Sequence, residues 1–207
     1  MTVRTERARA TRDAILTAAE RLFAEHGVIT VSNRQISEAA GQGNNTAVGY
    51  HFGTKADLVR AIVHKHMAEM ERLRAAMVAD AADSIDLRVW VGCLVRPSTM
   101  HLDALGSPTW YARFAAQVMA DPELHRALVD EALGSPSLRA VLDGLNRCLP
   151  NLPAPVRAER DDMARHLIVQ MTAERERALA ENRPTPRSSW HDAATGLIDA
   201  IVGLMRA

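Results

Sequence analysis

The chain lacks most of the features that would declare a chemistry at once. Phe, Tyr and Trp make up only 4% of its 207 residues, so any local concentration of them is informative. The only cysteines are Cys93 and Cys148. They stand far apart with no metal-ligand spacing, which argues against a disulfide framework and for reduced cytosolic thiols. Lysine occurs only at Lys55 and Lys65, against abundant arginine. The formal net charge is +0, so there is no global basic footprint of the kind many nucleic-acid proteins carry. No apolar run approaches the ~20 residues of a membrane span. The arginine-rich N-terminus has no apolar core of a signal peptide. The expected setting is therefore cytoplasmic, with no membrane partner.

Catalytic constellations are missing too. There is no Walker loop, HExxH, nucleophile elbow, CxxC or di-iron E-x-x-H pair. The chain reads as a non-enzyme with no cofactor and no resident metal. Asp161, Asp162 and His166 lie close together on a helical stretch. They fit an adventitious metal site, and fit a solvated charged face better. No stretch alternates at period two, so the fold class is all-α.

What is present is a dense run of punctuation at 32–57, SNRQISEAAGQGNNTAVGYHFGTKAD. Ser32 and Gln35 have capping-box spacing. Ile36, Ala39 and Ala40 fall on one helical stripe, and Gly41 stands where a left-handed residue ends a helix. A short polar helix at 45–50 follows. Thr54 and Asp57 then cap a long helix at 55–82. Helix, glycine turn and short polar helix make a helix-turn-helix, which lays its second helix in the DNA major groove. Asn44, Asn45, Thr46, Gly49, Tyr50 and His51 are candidate contacts to bases and phosphates. A plain αα-corner would produce the same spacing.

Upstream, Arg4, Arg7, Arg9 and Arg12 oppose only Glu6. This is either a basic arm for phosphates or a solvated terminus. A helix at 4–25 presents Ile15, Ala18, Ala19, Leu22 and Phe23 on one face. With Ile36, Val48, Phe52, Leu58 and Ile62, Phe23 forms the expected core of a small head.

The segment 14–58 resembles the DNA-binding domain of the tetracycline-repressor (TetR) family. ILTAAERLFAEHG is similar to its first helix, RQISEAAG to its second, and YHFGTKADL to the exit of the third and the start of the fourth. The span 41–51 is one residue longer than the commonest family pattern, and Gly49 stands where many members carry tyrosine. The resemblance implies that positions Asn33, Arg34, Tyr50, His51 and Lys55 meet phosphates. It also implies a C-terminal domain that senses a small molecule.

Beyond residue 82, helices are expected at 85–105 (interrupted by Gly92 and Pro97), 108–120, 122–133, 136–149, 156–182 and 189–205. The division is a helix-turn-helix DNA-binding domain at 1–60, joined by the long helix to a ligand-binding and dimerisation domain at 61–207. Trp90, Met100, His101, Trp110, Tyr111, Phe114 and Gln117 concentrate large soft side chains with polar tips. They suit a ligand cavity, or an ordinary core. His64 and His66 read as solvated or interhelical. Trp190, Leu197, Ile198, Ile201 and Met205 form a stripe on the last helix, with Met163, Leu167 and Met171 on the helix before. They suit a four-helix dimer interface, or packing within the chain. The expected partners are double-stranded DNA, a small-molecule effector and a second copy in a homodimer. The expected function is a ligand-responsive repressor on a palindromic operator. The alternative is a helical scaffold, or a small-molecule-binding enzyme without a known motif.

Overall fold

Capping chemistry sets where most helices begin in the computed structural model, which describes residues 3–44 and 46–207. The order is α1 (Val3–His26), α2 (Asn33–Ala39), α3 (Ala47–Phe52), α4 (Lys55–Ala81), α5 (Leu87–Leu105), α6 (Tyr111–Ala120), α7 (Pro122–Leu133), α8 (Pro136–Cys148), α9 (Ala154–Ala180) and α10 (Trp190–Arg206). The fold is all-α, with no strand among the described residues. No described helix is long and apolar enough to cross a membrane.

Ser32 Oγ accepts from the Gln35 amide while Gln35 Oε1 accepts from the Ser32 amide, a completed capping box. Thr54 and Asp57 exchange the same pair of bonds at the head of α4. Thr54 hydroxyl and amide hydrogen bonds hold the Asp57 carboxyl below the usual carboxylate range. Ser135 caps α8 with Pro136 in its first turn, and Ser189 caps α10.

The helices after α4 differ in places from the expected ones. The α5 segment is one helix through Pro97, not an interrupted one. Pro97 withholds only its own amide, the donor to Cys93 O, and the Ser98 and Thr99 hydroxyls bond back to the carbonyls of Val95 and Arg96 beside it. The helix expected from 108 begins only at Tyr111.

The chain forms two compact units. One comprises Met1–His66 with Trp110–Leu128, the other Met67–Thr109 with Val129–Ala207. The first is larger than a head ending at residue 60, because α6 belongs to it and packs on α1. Phe114 stacks on Phe23 at 6.1 Å. Phe23, Ile36, Val48, Phe52, Leu58 and Ile62 are all buried here. His66 is buried as well and interhelical rather than solvated. Its Nε2 lies 2.9 Å from Glu20 Oε2, and Tyr111 stacks on the ring at 3.9 Å. His64 is exposed.

In the second unit α10 packs chiefly on α5, and α8 packs on α5 as well. Trp90 is fully buried among Val91, Val141, Leu145, Ile198 and Ile201, with its Nε1 donating to Ser84 O at 2.9 Å. Its ring lies against Gly144, where an added Cβ would come within 2.1 Å of Trp90 Cδ2. Alanine exceeds glycine in helix propensity by about 1 kcal/mol. Overpacking a core costs about 1–3 kcal/mol, so the clash outweighs propensity. Gly144→Ala is expected to lower the melting temperature in calorimetry; an unchanged or higher value contradicts this packing.

Candidate nucleic-acid interface

α3 has only 6 residues, and helices this short are marginal by themselves. Its stability comes from what it buries and what holds its ends. Val48 and Phe52 point inward, at 0% and 9% exposure. Tyr50, between them in sequence, is 83% exposed. Asn44, Thr46 and Gly49 are exposed too, and a Cβ added at Gly49 would meet nothing within 4 Å. The helix therefore displays a polar, unobstructed surface.

The turn into α3 organises that surface. Gly41 has φ 67°, the left-handed value that ends α2. Asn44 Oδ1 accepts from both the Thr46 amide (2.9 Å) and the Thr46 hydroxyl (2.7 Å). This leaves Asn44 Nδ2 as donor and the Thr46 oxygen as acceptor for an outside group. α3 spans 47–52 rather than 45–50, because this Asx turn occupies the residues before it. Asn45 lies outside the described residues.

The far end of α3 is held by Arg12. Its Nη1 donates to His51 O at 2.9 Å, and its guanidinium sits 4.2 Å from the Phe52 ring centroid. A cation at a helix C-terminus satisfies a terminal carbonyl and opposes the helix dipole. Arg12 thus has a structural task that the basic-arm expectation did not include. The arm itself is helical, since α1 begins at Val3. Arg7 and Arg9 lie exposed along its first turns.

Lys55 is half-buried, with Nζ donating to Val28 O at 3.0 Å and Ile29 O at 3.3 Å. It pins the α1–α2 connection to the start of α4, with one ammonium hydrogen left. Arg34 is exposed in the first turn of α2 and pairs with Glu38 at 2.8 Å. That hydrogen bond raises the Arg34 pKa. Asn33 is half-buried, with no hydrogen-bond partner for Oδ1. His51 is half-buried, its ring edge-on to Tyr50 at 5.1 Å. The structure thus brings Asn44, Thr46, Gly49 and Tyr50 onto one exposed run. Lys55 and His51 are partly engaged within the fold.

The residues expected to line a ligand cavity are divided between the two units. Trp90 is core, Met100 is 47% exposed and His101 is buried, all in the second unit. Trp110, Tyr111, Phe114 and Gln117 belong to the first. There Tyr111 and Phe114 pack on His66 and Phe23, Trp110 is half-buried and Gln117 exposed. The second unit instead contains a cavity of 330 Å³, lined by Arg74, Leu94, Ser98, Leu138, Leu142 and Ile168 among others. In the sequence these aliphatic positions look like ordinary helix stripes. The expected dimer stripe divides into buried and exposed residues. Trp190, Leu197, Ile198, Ile201 and Met205 are buried in the protomer's own core, because α10 packs on α5. Met163 (43%) and Met171 (51%) remain exposed on α9, with Leu167 half-buried between them.

A buried-faced short helix, set off by a glycine turn and showing its polar side to solvent, defines a helix-turn-helix DNA-binding protein. Comparison with known proteins agrees. The profile described as bacterial regulatory proteins, tetR family, matches residues 15–62, and that of the tetracyclin repressor-like C-terminal domain matches residues 92–203. The chain belongs to the TetR family of bacterial transcriptional regulators. It is similar in fold to a protein of Mesorhizobium loti assigned as a TetR-family transcriptional regulator, at 16% identity and TM-score 0.53, covering 97% of each chain. It is likewise similar to the TetR-family regulator PfmR of Thermus thermophilus, at 18% identity and TM-score 0.51, covering 92% of this chain and 94% of that one. No curated protein matches.

Arg12→Met removes the His51 hydrogen bond and the ring contact while keeping a long side chain. It is expected to cost about 1 kcal/mol and to speed amide exchange at 47–52 more than elsewhere. Uniform or unchanged exchange rates contradict the clamp.

Proposed function

We propose that the chain is a ligand-responsive repressor that binds a twofold-symmetric operator as a homodimer in the cytoplasm, on nucleoid DNA. The observation that carries this is the asymmetry of α3, with Val48 and Phe52 inward and Thr46, Gly49 and Tyr50 outward. Asn44 and Thr46 read base edges, and Tyr50 meets a phosphate. Arg34 and the N-terminal turn of α2 take phosphate, as does the spare hydrogen of Lys55. A single such helix reads too few base pairs for useful specificity, so two copies must occupy half-sites about 34–36 Å apart.

The surface offered to a second copy is an open groove lined by Met163, Leu167 and Met171 of α9 and Leu204 of α10. The effector occupies the 330 Å³ cavity among α4, α5, α7, α8 and α9. Its signal passes through Glu71 on α4. That carboxylate accepts from the hydroxyl of Ser135, and from the hydroxyl (2.6 Å) and amide (3.2 Å) of Ser137 at the start of α8. Leu138, the next residue, lines the cavity. A ligand that shifts α8 therefore pulls on Glu71, and α4 runs unbroken from there back to Lys55. The ligand's effect is limited by its differential affinity for the two arrangements. Burial pushes the Glu71 carboxyl up, but the serine hydrogen bonds and Arg74 outweigh it and hold the pKa below the usual value. The contact is thus present at neutral pH and lost in acid, as pH falls through that lowered pKa.

Footprinting of the purified protein on the DNA upstream of its own gene is expected to show a symmetric protected site. Asymmetric protection, or none, removes the operator reading. On that site Asn44→Ala and Thr46→Ala are expected to change sequence preference, each by about 1–3 kcal/mol at one position. Lys55→Ala is expected to weaken all sequences alike and lower the salt slope. Unchanged preference in the first pair, or an unchanged slope in the last, removes that residue from the interface.

A further inference from the structure

The second unit holds a separate cavity of 270 Å³ between α9 and α10, and no residue lining it lines the one described above. Its chemistry is one-sided. Arg175 and Arg187 line it, and no Asp or Glu does. Arg175 is only 9% exposed. Its Nη1 donates to Arg187 O at 2.7 Å, and its Nε is buried without a hydrogen-bond partner. The guanidinium lies 5.1 Å from the Trp190 ring centroid, and among the described residues no carboxylate forms an ion pair with it. Burial lowers its pKa against the more distant charges of Asp192 and Asp103. Asp192 is taken up by the Ser188 and Ser189 hydroxyls at the head of α10. Asp192 and Asp103 act on Arg175 only through space, so its buried Nε still lacks an acceptor, and a buried polar donor calls for one.

The rest of the wall explains the space. Ala193, Gly196 and Ala200 present small side chains at helical spacing along α10, so room remains beside the arginines. Trp190, Leu197 and Met171 supply apolar surface. A cavity of this size is at the low end for small-molecule sites.

We propose that this cavity is a binding site for a small organic carboxylate with a flat apolar body. The carboxylate meets the free donors of Arg175 and the guanidinium of Arg187, in the geometry that suits arginine best. The apolar body lies against Trp190 and the small residues of α10. The site stands on its own lining and does not depend on the DNA-binding assignment, so its test uses no DNA.

The probes are 1-naphthoate and its neutral amide, 1-naphthamide, titrated into the full-length protein by calorimetry. Naphthoate is expected to bind saturably with one site per chain, and the amide roughly 10- to 100-fold more weakly, the range a charge-assisted hydrogen bond accounts for. Arg175→Met is expected to lose affinity by the same factor. Gly196→Leu fills the cavity and gains helix propensity; a Cβ there lies 3.6 Å from the Arg187 guanidinium, so the leucine also covers that donor, and the variant is expected to stay folded and lose binding. Equal affinity for acid and amide overturns the proposal. So does full binding by Arg175→Met or Gly196→Leu, or an absence of saturable naphthoate binding at millimolar concentration.

Discussion

Everything the DNA-binding unit does depends on holding a helix that cannot hold itself. α3 forms because Val48 and Phe52 are buried and Arg12 closes its C-terminus from α1. Those contacts use its inner face and its end, and leave Thr46, Gly49 and Tyr50 facing solvent. The burial of one side is therefore the cause of the other side's availability. Lys55 extends the same economy by fixing the Val28–Ile29 carbonyls to the first turn of α4. A cation that could serve DNA also rigidifies the scaffold that presents α3.

The second unit is organised around Trp90 and the α5–α10 contact. α10 turns its apolar stripe to α5, and Met163 and Met171 stay exposed on α9. Because Leu94, Leu138, Leu142 and Ile168 do not close on one another completely, a cavity remains beside the Glu71–serine contacts. Packing thus separates three tasks: a core at Trp90, a cavity next to α8 and an exposed methionine strip on α9.

Local signals are legible in the sequence, and long-range pairings are not. The Ser32–Gln35 and Thr54–Asp57 caps and the Gly41 stop involve residues three to five apart, so spacing alone reveals them. The bond from Lys55 to Val28, and from Arg12 to His51, joins residues distant in the chain, and nothing in their neighbourhood announces it. The aromatic cluster illustrates the same limit of sequence proximity. Trp90, Tyr111 and Phe114 are near in sequence, yet Trp90 belongs to one unit and the other two to its neighbour. Periodicity placed Leu197, Ile198 and Ile201 on a buried stripe. It could not say whether a partner or the chain's own α5 would cover them. The arginine cavity escaped notice because Arg175 and Arg187 look like surface residues until burial is known.

The most direct test of the account is amide hydrogen exchange across residues 33–55 with and without the DNA duplex recovered by footprinting. The account predicts that added protection concentrates in the turn and α3, from Asn44 to His51, with a smaller effect at the start of α2. Protection confined to the second unit, or a turn and α3 that exchange as they do in the free protein, would contradict it.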